Sequence, residues 1–304
     1  MNIKTTLTKF PILPKLNTMN DVIQKIECIQ SVFLETQLFY ATHNDINGLV
    51  SYMEHIPVDF RSIAFESASM AIAIKDLERG GELTDWVKYV SGPAQEHQAQ
   101  VYVGLGWAIA KLKLPFLPVV EKIENDYHFR VADGCGYYDG SFRQRQTVLS
   151  LQLPAYLPQA ALCMYDQGVG RSLWYSCRAD IHKVKNKIEG FPAERQAALW
   201  RGMGIAVAYV GGCDDAYLET VWQYAGANGI QLAYGAALAA RSRMKANTMT
   251  TDTDRCSRLW FMCSAGGANE FSAETGDTAG TGNEAGYINW ITQIEDRLAD
   301  SFRG

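Results

Sequence analysis

The stretch WRGMGIA (residues 200–206) contains a pair of glycines two positions apart, and equivalent pairs of small residues recur along the chain. Six such pairs stand on an apolar background: Ser67/Ser69, Gly104/Gly106, Gly134/Gly136, Gly168/Gly170, Gly202/Gly204 and Gly235/Ala237. The steps between the first members of successive pairs are 37, 30, 34, 34 and 33 residues. A period close to 34 residues is the length of one helical hairpin in a repeat protein, so the pattern predicts an all-α fold built from such hairpins.

The glycines also indicate how the predicted helices pack. A glycine inside a helix is about 1 kcal/mol less favourable than alanine, so two in one helix require a compensating contact. Small residues two apart allow a neighbouring backbone to approach closely, and an aromatic residue precedes the pair at Trp200 and Tyr102. These strings resemble the first helix of a tetratricopeptide-type repeat, although the usual pattern of the second helix is missing. We therefore predict a tetratricopeptide-like α-solenoid.

The predicted organisation has three parts. Residues 1–60 form an N-terminal helical segment, residues 61–275 the helical repeat body, and residues 276–304 a linker with a C-terminal capping helix. Within the body, residues 115–158 contain several prolines and glycines, so short strands or loop fit this segment as well as helix does. We expect an irregular insertion there. The string GCGYYDG that begins at Gly134 resembles a dinucleotide-binding fingerprint only loosely, and a glycine-rich turn is the better interpretation.

Composition excludes several classes of function. The net charge of −5 argues against a nucleic-acid partner, because neutralising phosphates requires a basic surface. No apolar run approaches the length of a membrane span. The seven cysteines are scattered without a CxxC pair, and the five histidines show no metal-ligand spacing. We expect reduced thiols in the cytoplasm, and neither a metal nor a cofactor.

Two segments combine charged groups with aromatic side chains. The first lies in the predicted insertion and contains Asp133, Tyr137, Tyr138 and Asp139. The second lies on the following small-residue helix and contains Asp166, Arg171 and Trp174. Charged groups on a closely packed helix must be paired or face a cavity, so a structural Asp–Arg pair and a catalytic acid both fit the second segment.

Several blocks of the sequence resemble one bacterial family. They are ESASMAIAIKDL (66–77), VYVGLGWAIAKL (101–112), DGCGYYDGSF (133–142), DQGVGRSLWY (166–175), FPAERQAALWRGMGIAVAYVGG (191–212) and QLAYGAALAARSRM (231–244). The family is an uncharacterised one found in enediyne and related polyketide gene clusters, and the likeness covers roughly residues 60–265. Tyr138 stands where the family has a histidine, so no role that needs an imidazole carries over. The resemblance implies an accessory factor in natural-product maturation and no particular reaction.

Three functions are consistent with these features. The leading prediction is an accessory protein of enediyne- or polyene-type biosynthesis that binds an apolar intermediate. The residues expected to bind that intermediate are Trp107, Tyr137, Tyr138, Arg171, Trp174 and Trp200. The first alternative is a cofactor-independent cyclase or isomerase of a polyene or isoprenoid substrate, with Asp133, Asp139 or Asp166 as general acid. The second is a protein-interaction scaffold. Other biosynthetic enzymes are expected partners, and the sequence leaves a homodimer open.

Overall fold

A computed structural model describes residues 22–123, residues 127–274 and residue 292. This part of the chain is helical and contains no strand, which confirms the predicted all-α class. Its α-helices are, in chain order, α1 (Val22–His43), α2 (Ile46–Glu54), α3 (Val58–Arg79), α4 (Thr84–Ser91), α5 (Gln98–Leu112), α6 (Phe116–Val120), α7 (His128–Phe142), α8 (Leu162–Ser176), α9 (Ile181–Glu189), α10 (Ala193–Val210), α11 (Asp215–Ala225), α12 (Gly229–Lys245), α13 (Thr251–Trp260) and α14 (Ala265–Glu274).

The helices divide into a packed row and a set of connectors. Helices α1, α3, α5, α7, α8, α10, α12 and α14 form the row, in which each helix packs against the next one. Shorter helices connect most neighbours in the row, such as α4 between α3 and α5, or α9 between α8 and α10. The link from α7 to α8 instead contains a π-helical turn, Arg145–Leu149.

The two members of each small pair face the two neighbours of their helix. In α7, a Cβ atom at Gly134 would overlap the backbone of α5, whereas one at Gly136 would overlap the Tyr165 carbonyl of α8. In α3, the Ser67 hydroxyl donates to the Phe33 carbonyl of α1, and the Ser69 hydroxyl donates to the Val101 carbonyl of α5. Positions two apart lie about 200° apart around a helix, so one pair serves both sides.

The expectation of an irregular insertion over residues 115–158 is wrong for most of the segment. It contains α6 and α7, and α7 is a full member of the row. Gly134 therefore lies inside a helix rather than in a turn. The glycines lower the intrinsic helix propensity here, and contacts with two neighbouring helices offset that cost. Residues 150–158 are the longest described stretch of this segment without helix.

The row bends so that α12, near its end, contacts α3 and α5, near its beginning. The Gln100 amide of α5 donates to the Ser242 hydroxyl of α12 over 2.7 Å. The Arg243 guanidinium of α12 donates to the Asp59 carbonyl at the start of α3 over 3.1 Å. As a result, one face of each of the helices α3, α5, α7, α8, α10 and α12 borders a common interior space.

Two predicted segments fall partly or wholly outside this description. Residues 1–21 of the N-terminal segment are not among the described residues, and neither is the linker and capping helix expected over 276–304, apart from residue 292. Across the described part of the chain, no helix combines the length and the apolar character needed to cross a bilayer.

Candidate functional site

A small polar cavity lies where the six bordering helices meet. Its volume is about 40 Å³, which accommodates about three water molecules. The polar and phenolic side chains that line it come from all six of these helices and are Glu66, Gln100, Arg130, Asp133, Tyr137, Gln167, Arg171, Tyr175, Tyr209 and Ser242. Polar groups are expensive to bury unless they are hydrogen-bonded, so each of them calls for a partner or a function.

A chain of charged and amide groups crosses one wall of this cavity. The Arg171 guanidinium of α8 pairs with the Asp133 carboxylate of α7. The Gln167 amide donates to the other oxygen of Asp133 over 2.7 Å, and the Arg201 guanidinium of α10 donates to the Gln167 carbonyl over 2.7 Å. These bonds hold α7, α8 and α10 in fixed register. Arg171 thus pairs with Asp133 of α7 and not with Asp166 of its own helix.

Glu66 of α3 is the unusual group of the cavity. Its side chain is buried, with 2% of its surface exposed, and its Oε2 atom has no hydrogen-bond partner among the described residues. Burial raises the pKa of Glu66 to about 7; the Arg171 guanidinium lowers this pKa and the Asp133 carboxylate raises it. The carboxyl group therefore exchanges its proton near neutral pH. Sequence reasoning missed Glu66, although an acid at the start of the buried-type string ESASMAIAIKDL was a signal that could have identified it.

A second side chain of the cavity has an oxygen atom without a partner among the described residues. The Oε1 atom of Gln100 is buried and unbonded among the described residues, while the amide of the same residue binds Ser242. Glu66 and Gln100 thus present two unused oxygen atoms to one enclosed space. Such atoms are satisfied by water or by a ligand.

An apolar groove lies beside the cavity. Its volume is about 380 Å³, and it runs between α1 and the C-terminal halves of α5, α7 and α8. The aromatic side chains that line it are Phe33, Trp107, Tyr137, Phe142 and Tyr175. The Trp107 ring forms its floor and lies 4.7 Å from the Phe33 ring and 4.8 Å from the Tyr137 ring. The Nε1 atom of Trp107 has no hydrogen-bond partner among the described residues.

The rim of the groove exposes apolar surface. Leu34 of α1 and Phe142 at the end of α7 line the groove, and 66% of each side chain's surface is exposed. A large apolar side chain that stands so far in water carries a hydrophobic cost that a bound apolar molecule would relieve.

Tyr137 and Tyr175 form the wall between the groove and the cavity. Both residues line both spaces, their ring centroids are 5.5 Å apart, and their side chains are hydrogen-bonded to each other. The Arg171 guanidinium stacks 4.6 Å from the centre of the Tyr137 ring. Burial raises the pKa of Tyr175 to about 12, so its phenol is protonated at neutral pH and able to donate.

The structure brings some of the predicted site residues together and separates others. Asp133 and Arg171 border the cavity, Trp107 and Tyr137 line the groove, and the ring of Tyr138 lies 5.8 Å from that of Trp107. Trp174 and Trp200, in contrast, are buried in the main core and line neither space. The structure assigns these two tryptophans to packing.

The remaining predicted acids have their own partners outside the cavity. Asp139 accepts from Arg143 over 2.5 Å, from Tyr156 over 2.8 Å and from Tyr165 over 3.1 Å. Asp166 accepts two bonds from the Arg195 guanidinium, over 2.6 and 2.8 Å. Burial raises the pKa of Asp166, while that bidentate arginine lowers it. Both carboxylates therefore join helices to neighbouring segments.

The chemistry of the site is that of proton transfer and hydrogen bonding. A carboxyl group that titrates near neutrality, two phenols and a guanidinium surround the space between cavity and groove. In the described residues, no three or more His, Cys, Asp or Glu side chains are grouped so that they could hold a metal ion.

Comparison with known proteins places the chain in a family. No match was found among curated proteins or among solved structures. A family model does match, and it covers residues 8–298, which include every residue of the cavity and the groove. The chain therefore belongs to the family described as protein of unknown function DUF1702.

Proposed function

We propose that this protein binds an apolar, unsaturated small molecule in the groove between α1 and α5–α8. The observation that carries the proposal is the groove itself, which combines a volume of about 380 Å³, aromatic walls and an exposed apolar rim. Ligand pockets have volumes of this order and are lined mainly by apolar and aromatic side chains with a few polar groups. The Trp107 indole N–H is a polar group of this kind, buried beside the groove without a hydrogen-bond partner among the described residues.

The biological setting of the proposal comes from the sequence. The blocks that resemble proteins of enediyne and related polyketide clusters support a role as a cytoplasmic accessory protein in that kind of biosynthesis. The ligand would then be a polyketide-derived intermediate that other enzymes of the pathway produce or consume. The near-34-residue period and the helical connectors support a tetratricopeptide-like α-solenoid as the frame that carries the groove.

The direct test is to look for a bound compound. The protein is purified from a producing strain, extracted with organic solvent, and the extract is analysed by absorption and mass spectrometry. We expect a conjugated or isoprenoid-like compound that copurifies in a fixed ratio to the protein. An extract without any such compound would contradict the proposal.

A fluorescent polyene provides the matched binding experiment. Parinaric acid, a conjugated polyene fatty acid, fluoresces when it enters an apolar site, so its affinity for the groove is measurable directly. Replacing Ser141, a small groove residue, by tryptophan fills the groove and should weaken binding about tenfold or more. Ser91→Trp adds the same ring at the exposed end of α4 and should leave the affinity unchanged. Equal affinities for the two variants would place the probe elsewhere.

A second proposal is that the same site is a cofactor-independent cyclase or isomerase of a polyene or isoprenoid substrate. The observation that favours it is the presence of protonatable groups beside the groove. Asp133, Asp139 and Asp166 are the acids first considered for this role, and each is bonded to an arginine. Turnover of the extracted compound by Asp133→Asn, Asp139→Asn and Asp166→Asn separates the three. Full turnover by all three variants would reject these acids as donors.

A scaffold function predicts a different surface. A scaffold would offer an open, polar concave face to a partner chain, whereas the inner face here closes around a cavity of about 40 Å³. Partner enzymes of the pathway would therefore dock on an outer face. A homodimer is part of the same proposal, and light scattering of the purified protein tests it directly.

A further inference from the structure

We propose that the inner cavity is a proton-transfer site in which Glu66 moves a proton between two carbon atoms of an unsaturated carbonyl compound. This inference rests on the proposed function, because the body of that compound would lie in the groove. Its carbonyl end would enter the cavity by replacing the hydrogen bond between Tyr137 and Tyr175, whose two hydroxyl groups would then both face the carbonyl oxygen. The reaction class is the shift of a carbon–carbon double bond into conjugation with the carbonyl group.

Glu66 is placed where it can act as a base. Its Oε2 atom is buried and unpartnered among the described residues, and Glu66 is one of the residues that line the cavity. A charge-bearing group in such a place costs several kcal/mol unless something binds it. Structural carboxylates of this protein look different: Asp139 has three partners and Asp166 has a bidentate arginine. Glu66 is thus a free base in an enclosed site.

Tyr137 and Tyr175 are placed where they can stabilise negative charge on the ligand oxygen. Tyr137 and Tyr175 stand at the mouth of the cavity, where a carbonyl oxygen of an inserted ligand would meet their hydroxyl groups. Phenols that are kept protonated donate strong hydrogen bonds to an oxygen that gains negative charge. The nearby Arg171, which stacks on Tyr137, adds positive charge on the same side.

The size of the cavity fits the reacting end of a ligand and nothing larger. A volume of about 40 Å³ holds about three water molecules, which a carbonyl group and its adjacent carbons would displace. The groove, with about 380 Å³, takes the apolar remainder. The arrangement therefore selects a long apolar molecule with a carbonyl group at one end.

The proposed reaction balances without any further reagent. The Glu66 carboxylate removes a proton from the carbon between the carbonyl group and the double bond, and that C–H electron pair moves into a dienolate. Its oxygen accepts hydrogen bonds from the tyrosine hydroxyls. The Glu66 carboxyl group then returns the proton to the far carbon of the former double bond, where a new C–H bond forms. The product is the conjugated isomer of the substrate, and Glu66 is again ionised.

A steroid ketone whose double bond lies β,γ to the carbonyl group is a suitable probe. Its isomerisation is followed by the ultraviolet absorption of the conjugated product, and its binding is measured separately by equilibrium dialysis. We expect wild-type protein to bind and isomerise the probe. Glu66→Gln keeps the shape of the side chain and should lose at least about 100-fold in rate with little change in binding. Glu35→Gln removes a carboxyl group of α1 outside both spaces and should keep the wild-type rate.

Two further readouts separate a chemical role from a structural one. The wild-type rate should rise with pH up to about 7 and then level off, because the base must be ionised, and Glu66→Gln should lack this profile. Tyr137→Phe and Tyr175→Phe remove only a hydroxyl group each, and each should slow the reaction about 100-fold while the probe still binds.

Each outcome has one meaning. A probe that binds to the wild type but is not isomerised overturns the proton-transfer site and leaves the groove proposal intact. A Glu66→Gln protein that keeps the wild-type rate overturns the assignment of Glu66. If the wild type binds neither the steroid nor parinaric acid, the proposed function is overturned as well. If it binds parinaric acid but not the steroid, only the proton-transfer site is overturned.

Discussion

Helix α7 carries two buried carboxylates that differ only in what surrounds them. Asp133 and Asp139 are both 3% exposed and both are bonded to an arginine. They are six residues apart and so lie about 240° apart around the helix. Asp139 faces the connecting segments, where one arginine and two tyrosines satisfy it completely. Asp133 faces the inner cavity, where the neighbouring Glu66 remains unsatisfied.

This difference in surroundings distinguishes carboxylates that join helices to neighbouring segments from carboxylates that border the cavity. Burial and an arginine partner are common to both sides of α7, so neither feature identifies a site. What distinguishes the inner side is a cavity, an oxygen atom without a partner among the described residues, and an apolar groove on the far side of Tyr137 and Tyr175. A buried acid that serves only packing has no reason to be left without a partner.

The largest expected effect on stability tests the close contact between α7 and α8, because the positions of both Asp133 and Asp139 depend on how α7 packs. A Cβ atom at Gly136 would overlap the Tyr165 carbonyl of α8, and rigid backbone atoms cannot move away cheaply. Gly136→Ala should lower the free energy of unfolding by about 3 kcal/mol, measured in denaturant. Gly266→Ala in α14 has only the Ser264 side chain 3.6 Å away and should be close to neutral. Equal losses in both variants would contradict the close helix contact.

The next effect concerns Glu66 and its dependence on pH. Its folded-state pKa of about 7 lies above the ordinary value of 4.5, so the folded state holds the proton more tightly than the unfolded state does. The resulting stabilisation is complete below pH 4.5 and is lost as pH rises to about 7. The loss amounts to about 3 kcal/mol. Glu66→Gln should remove this slope from the unfolding free energy, whereas Glu96→Gln, at an exposed position, should retain it.

A smaller effect is expected on the outward side of α7. Asp139→Asn leaves the Arg143 guanidinium without its carboxylate and weakens the bonds from Tyr156 and Tyr165. We expect a loss of about 2 kcal/mol in unfolding free energy and unchanged affinity for parinaric acid. A marked loss of ligand affinity in this variant would break the distinction between the two sides.

The smallest effect on stability belongs to the groove rim. Phe142→Ala removes an exposed ring and should change the unfolding free energy by less than about 0.5 kcal/mol. Because Phe142 lines the groove, the same change should weaken parinaric acid binding about tenfold. Leu117→Ala removes another exposed apolar side chain, on α6 and outside the groove, and should leave binding unchanged. Unaltered binding by Phe142→Ala would exclude the rim from the ligand site.

Sequence reasoning succeeded where the signal is local. The small pairs predicted helices and close helix contacts, since residues two apart sit on opposite sides of one helix whatever the rest of the chain does. It failed at Gly134, where propensity favoured a turn and packing against α5 and α8 decided for a helix. Of the aromatic residues predicted to bind a ligand, Trp107, Tyr137 and Tyr138 lie together, whereas Trp174 and Trp200 lie in the core.

The ion pairs show most clearly which features needed the tertiary structure and could not be predicted from the sequence. Asp166 and Arg171 are close in sequence, and each forms an Asp–Arg pair with a residue of a different helix, Arg195 and Asp133 respectively. Which residues meet depends on the register between helices about one repeat apart, and that register is set by the summed packing of the row. Glu66 became a candidate only when α3 was seen to border the cavity. The sequence alone determined the helical class and the points where helices touch, because both are local properties of one helix. The tertiary structure alone decided the ion-pair partners, the cavity and the groove beside it, because these depend on how distant helices are placed.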